Sequence, residues 1–111
     1  MKENPSCKAT DDVKKYKIAD FQEIFMDINE MVNSLVNNGP IVSYISASSH
    51  SFQYYGSGII NFPNCRNSFD SLDHAVTIVG YGTDKKTKQD YWLVKNSWGI
   101  LRLLFLIILY L

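Results

Sequence analysis

The sequence predicts an α+β domain, with one helix followed by four or so strands in a mainly antiparallel sheet. Three observations carry that expectation. Apolar residues recur at helical spacing from Ile28 to Val36. A run of β-formers begins directly after Gly39-Pro40. Two more strand-like runs, starting at His74 and Tyr91, flank a charged connection of eight residues, Thr83 to Asp90.

Residues 1–19 are polar and mixed in charge, with a short extended piece expected around Tyr16–Ala19. The helix is expected over about residues 28–37. Ile28, Met31, Val32, Leu35 and Val36 share one face at i, i+3, i+4, i+7 and i+8. Asp27 with Glu30 three residues on has the spacing of a capping box. Gly39 suits a left-handed cap, and Pro40 cannot continue the hydrogen-bond ladder. Beyond it, Ile41 to Ala47 reads as a strand, Ser46 to Ser51 as a polar loop and Phe52 to Tyr55 as a short aromatic turn. Ile59–Phe62 is a second short strand, and Pro63 to Ser71 a loop. His74 to Gly82 is a third strand, and Tyr91 to Ser97 a fourth that can pair with it. Gly80-Tyr-Gly82 reads as a strand-ending turn. A dinucleotide fingerprint needs a third glycine at position 85, which is Lys85.

Eleven basic and eleven acidic side chains cancel, and the lysines cluster only as Lys14–Lys15 and Lys85–Lys86. A nucleic-acid footprint has no support in that pattern. The apolar residues are unevenly spread, with eleven of the last twelve positions, Ile100 to Leu111, apolar. As a helix that run reaches roughly 18 Å, against a hydrocarbon core of about 30 Å, so it is too short to span a membrane. It is read first as a broken end, then as a buried segment, and last as a membrane or partner contact. The first residues, Met1-Lys-Glu-Asn-Pro-Ser-Cys-Lys, show no apolar stretch of the signal-peptide kind. Cys7 and Cys65 lack zinc-like spacing and read as two free thiols or one disulfide. No metal and no cofactor is expected.

Two histidines are available for chemistry. His50 sits in a serine-rich loop, where a solvated side chain is the default. His74 opens a strand. In an antiparallel hairpin in which Gly82 faces Tyr91, His74 falls near residue 99, within a few residues of Asn96. A side-chain amide beside an imidazole fixes its tautomer by accepting the Nδ1 proton, which orients the other nitrogen as a base. Trp98 is placed to cover that hydrogen bond.

Leu72-Asp-His-Ala-Val-Thr-Ile-Val-Gly-Tyr-Gly82, followed by Tyr91-Trp-Leu-Val-Lys-Asn-Ser-Trp-Gly99, resembles the histidine and asparagine motifs of papain-like cysteine peptidases, the cathepsin L-like branch in particular. Asn38-Gly-Pro-Ile-Val-Ser-Tyr-Ile45 resembles that family's helix-to-strand junction, and Phe52-Gln-Tyr-Tyr-Gly-Ser-Gly-Ile59 its next aromatic segment. The match covers about residues 5 to 99. It implies the β-barrel-like half of a two-part fold whose helical half carries the nucleophilic cysteine. Position by position, it implies His74 as base and thiolate partner, Asn96 as its orienter and Trp98 as an aromatic shield. Leu72, Asp73 and Ala75 would line the substrate cleft, and Tyr44 would form a pocket wall where smaller residues are common. It also implies peptide or protein substrates, pairing with a helical half-domain, and a lysosomal or secreted full-length precursor.

The chain departs from the pattern in three ways. Cys7 in Pro-Ser-Cys-Lys and Cys65 in Pro-Asn-Cys-Arg do not match the nucleophile's glycine-flanked context. They resemble instead two family cysteines whose bridging partners lie outside these 111 residues. After Gly99 the family's second Trp-Gly and closing strands give way to the apolar tail, so residues 1–99 read as a partial domain and 100–111 as a foreign end. The expectation is therefore a fragment of a cysteine endopeptidase that holds the His/Asn half of the site and is inactive alone. A non-catalytic peptidase-like binding module and a truncated gene product are the alternatives.

Overall fold

A computed structural model describes residues 16–25, 27–61 and 68–98, and the backbone of a strand at 107–110. Asp27 starts the helix, α1 (Ile28–Asn38), because its Oδ1 accepts the Glu30 backbone N–H at 2.9 Å. Met31, Val32 and Leu35 pack on the core, while Ile28 and Val36, at the margins of the stripe, stay exposed. Gly39 closes the helix at φ 97° and ψ −161°. That is a reversed extended conformation, not the expected left-handed cap, and it is open to glycine for the same lack of a Cβ.

Strand β1 (Ile41–Ile45) follows immediately, then the four-residue helix α2 (His50–Gln53) and the short β2 (Ile59–Ile60). A 3-10 turn (Phe69–Ser71) leads into β3 (His74–Thr83), which forms a hairpin with β4 (Asp90–Lys95). Backbone β5 (Ile107–Tyr110) completes an open five-stranded sheet of order β1-β3-β4-β5-β2. All pairings are antiparallel except β2 with β5. The sheet is not a closed barrel, as expected of a partial domain. The apolar tail supplies one strand of its own, because 107–110 lies along β4, pairing Tyr91 with Tyr110 and Val94 with Ile107. An uninterrupted β-forming run can supply such a strand without the alternation a half-exposed strand shows.

The hairpin register matches expectation at its tip, where Gly82 faces Tyr91, but shifts at a bulge between Ile78 and Gly80. Val79 is the extra residue. On the His74 side of the bulge Val76 and Ile78 face the core, and beyond it Tyr81 packs edge-on against Trp92. Both glycines of Gly80-Tyr-Gly82 lie within the strand and do not end it. At Gly82 a Cβ would fall 2.7 Å from Tyr91 Oη, because the Tyr91 ring lies across the glycine. Buried Ala47, Phe52, Val76, Ile78, Trp92 and Val94 form the core. The piece around Tyr16–Ala19 forms no strand, and Tyr16, Ile18, Phe21 and Phe25 are exposed.

Candidate active site

The site forms at the open end of the β3–β4 hairpin, where β3 begins and β4 has just ended. His74 is the first residue of β3 and faces Ile45 across the ladder. Asp73 ties down the approach to it. Its N–H donates to the Ile45 carbonyl at 3.2 Å, and its Oδ1 accepts the Ala47 N–H at 2.7 Å. Asp73 thus holds the end of β1 against the start of β3.

Asn96, just past β4, is 7% exposed and is the one buried polar side chain among the described residues. Its Oδ1 lies 2.8 Å from His74 Nε2 and also accepts the Ser97 backbone N–H at 2.8 Å. The second bond fixes the amide's orientation, since a backbone N–H can only meet the oxygen. Nε2 must then carry a hydrogen and donate it. The contacting nitrogen is Nε2, not the Nδ1 expected from the sequence. Which nitrogen meets the amide depends on the imidazole's χ2 rotation, about which residue order is silent. The consequence is that Nδ1 is the nitrogen left available for proton transfer.

Two rings pack beside this bond. The Trp98 indole, 36% exposed, lies 5.1 Å from the imidazole centroid at 38°. Phe52 meets Trp98 edge-on at 5.4 Å and His74 at 6.3 Å. Phe52 is 1% exposed and joins the site to the core. Sequence reasoning assigned it only to an aromatic turn. The signal that could have found it is Ser49, whose Oγ accepts the Phe52 N–H at 3.2 Å and caps α2, aiming the ring inward. His50, on the same short helix, is exposed and touches Tyr54 edge-on.

The remaining predicted residues are less tightly gathered. Leu72 is half-buried at the end of the 3-10 turn. Ala75 and Tyr44 are cross-strand partners, both exposed, Tyr44 at 67%. Strand alternation puts them on the sheet face opposite the imidazole. A groove of about 410 Å³ runs past Pro40, Ala75, Thr77, Val79 and Lys95 and reaches Asn96, but His74 does not line it. Cys7 and Cys65 lie outside the described residues. Among those residues no His/Cys/Asp/Glu group is arranged to hold a metal, and no helix is long and apolar enough to cross a membrane.

A family model described as papain family cysteine protease matches residues 1–101. The chain belongs to the papain family of cysteine proteases. A silicatein from Petrosia ficiformis is 47% identical over 73 residues, which is 66% of this chain and 20% of that protein. Cathepsin L1 from Drosophila melanogaster is 47% identical over 73 residues, covering 66% of this chain and 19% of its own. The solved digestive procathepsin L2 proteinase from Tenebrio molitor larval midgut superposes with a TM-score of 0.64 at 36% identity, over 74% of this chain and 25% of that one. This papain-family chain therefore spans about a fifth to a quarter of the length of these relatives. The cathepsin L-like resemblance of its motifs holds, and so does its fold class.

Proposed function

We propose that this chain supplies the base-bearing half of a cysteine-peptidase site. The observation that carries the reading is the 2.8 Å contact between His74 Nε2 and an Asn96 Oδ1 already oriented by Ser97. In this reading His74 Nδ1 takes the proton of a cysteine thiol. The thiolate attacks a peptide carbonyl, and the imidazolium then protonates the leaving amine. The resulting thioester is hydrolysed when the same nitrogen activates water. Asn96 holds the ring through both steps by accepting from Nε2, a bond that strengthens when the ring is charged. Trp98 keeps water from competing for that bond.

Leu72 and Asp73 serve as the substrate-side residues at the approach to His74, and Ala75 and Tyr44, on the other sheet face, serve a substrate that continues past the β1–β3 edge. The substrates are peptides or proteins, and the whole protein acts in a lysosomal or secreted setting. Cys7 and Cys65 pair with cysteines outside the 111 residues. Neither sits in the nucleophile's sequence context, so the 111-residue polypeptide does not cleave peptide bonds by itself and works only when joined to a helical half that carries the thiol.

The test is complementation. The chain is mixed with a separately produced helical half from a cathepsin L relative, and cleavage of a fluorogenic peptide is followed. Turnover in the mixture, absent from either part alone and lost with His74→Ala, is expected. Cleavage by the 111 residues alone, or labelling of Cys7 or Cys65 by an active-site-directed thiol probe, contradicts the reading.

A further inference from the structure

We infer that β1 is the edge through which two copies of this chain pair, as antiparallel strands of one continuous sheet. The inference goes beyond the peptidase reading and uses neither His74 nor a helical half. β1 stands at the end of the strand order, with β3 as its one hydrogen-bonded neighbour. The one further backbone bond to the strand, from the Asp73 N–H to the Ile45 carbonyl, comes from the residue that leads into β3. No other described residue bonds the backbone of Ile41–Ile45, so the N–H and C=O groups of its outer edge stand open. The devices that blunt such an edge are missing. No Asp, Glu, Lys or Arg occurs between Glu30 and Arg66, and Pro40 precedes the strand without interrupting it. Val42 and Tyr44 are 72% and 67% exposed, on the face away from the core. The opposite edge, β2, has two residues, both half-buried, and offers no comparable template.

The occupant is a second copy because the strand is complementary to itself. In an antiparallel pair centred on Ser43, Ile41 of one copy faces Ile45 of the other, Val42 faces Tyr44, and Ser43 faces Ser43. Opposed residues share a face, so a Val42 meets a Tyr44 ring twice on the outer side, and an Ile41 meets an Ile45 twice on the core side. A peptide of unrelated sequence would satisfy the backbone groups without this side-chain match. The two-fold axis stands perpendicular to the sheet, so the arrangement closes as a dimer and does not run on into a filament. Five residues a side are few against the roughly 20–30 of a standard interface, so pairing depends on concentration. Because the pair covers Tyr44, a dimer cannot also present that side chain to substrate.

The test is sedimentation equilibrium of the full chain with Cys7 and Cys65 both replaced by serine, which removes disulfide-linked dimers. The weight-average mass is expected to rise from 12.7 kDa toward twice that value as concentration increases. Val42→Lys with Tyr44→Lys sets like charges opposite each other at both cross-strand positions and is expected to hold the chain monomeric over the same series. Val42→Lys with Tyr44→Glu sets opposite charges there and is expected to restore the dimer in this register alone. Both positions are exposed in the single chain, and circular dichroism checks that each variant keeps the parent's fold. Isotope-filtered NMR on a mixture of labelled and unlabelled parent chain needs no variant, and should show Val42 methyls against the Tyr44 ring of another copy. A parent chain that stays monomeric throughout, a dimer indifferent to the lysine pair, or larger aggregates in place of a dimer overturns the inference. None of these outcomes touches the peptidase reading, which the complementation assay tests separately.

Discussion

The two ends of the β3–β4 hairpin are built from different kinds of contact. At the open end, His74 and Asn96 are 22 residues apart in sequence, and the surrounding ties reach further still, Asp73 to Ala47 and Phe52 to Trp98. At the tip every tie is local. Asp84 Oδ1 accepts from Lys86 N–H, Thr87 N–H and Thr87 O–H, and Thr83 O–H donates to Asp90. Lys88 sits at φ 59°, a conformation costly for a residue with a Cβ, and its N–H closes onto the Asp84 carbonyl. The tip can form from its own residues, whereas the open end exists only when the whole sheet and α2 are in place. Substitutions at the two ends should therefore differ in size and in what they disturb.

The largest effect belongs to Phe52→Ala. Removing a ring that is 1% exposed should cost about 3–5 kcal/mol in denaturant unfolding and release both His74 and Trp98. A cost under about 1 kcal/mol, typical of a surface position, would mean that Phe52 does not join the site to the core. Asn96→Ala follows, at about 1–3 kcal/mol, because it strands the Ser97 N–H and His74 Nε2–H it now satisfies. Gly82→Ala, near the tip, should cost about 1 kcal/mol, since the Tyr91 ring, not backbone, has to yield to the new methyl.

The smallest effect is at Asp84, and pH reveals it. The Thr87 N–H, then the Thr87 hydroxyl and the Lys86 N–H, hold its carboxyl below the ordinary value of 3.8. The charged form is favoured in the folded hairpin. Its stabilisation is therefore complete above about pH 3.8 and fades as pH falls through the lowered folded value. Asp84→Asn should flatten that part of an acid-unfolding curve and leave the His74 resonances in place. A shift of those resonances would show the two ends to be coupled.

The same contrast explains what the sequence disclosed. Elements written in local signals were legible. Asp27, the stripe at Met31, Val32 and Leu35, and Gly39-Pro40 located α1, and the alternation of β3 and β4 located the hairpin and its tip pairing. The nearness of His74 to Asn96 followed from that pairing alone. Features set by tertiary packing were not legible. The bulge at Val79 shifts the register by one residue, and Gly80 beside it, the one residue type that hints at a bulge, reads in sequence as part of a strand-ending turn. The meeting of Nε2 with Asn96 is a rotamer outcome. Phe52 looked like part of a turn because only the folded sheet brings Trp98 over it. The strand at 107–110 was hidden by a uniformly apolar run, which has no period to read.

The central claim is that Asn96 fixes His74 with its hydrogen on Nε2 and its lone pair on Nδ1. Long-range proton–nitrogen NMR of the neutral imidazole tests it directly. A protonated Nε2 and an unprotonated Nδ1, with that distinction lost in Asn96→Ala, is the predicted result. A protonated Nδ1 in the unmodified chain, or a spectrum indifferent to Asn96, would contradict it.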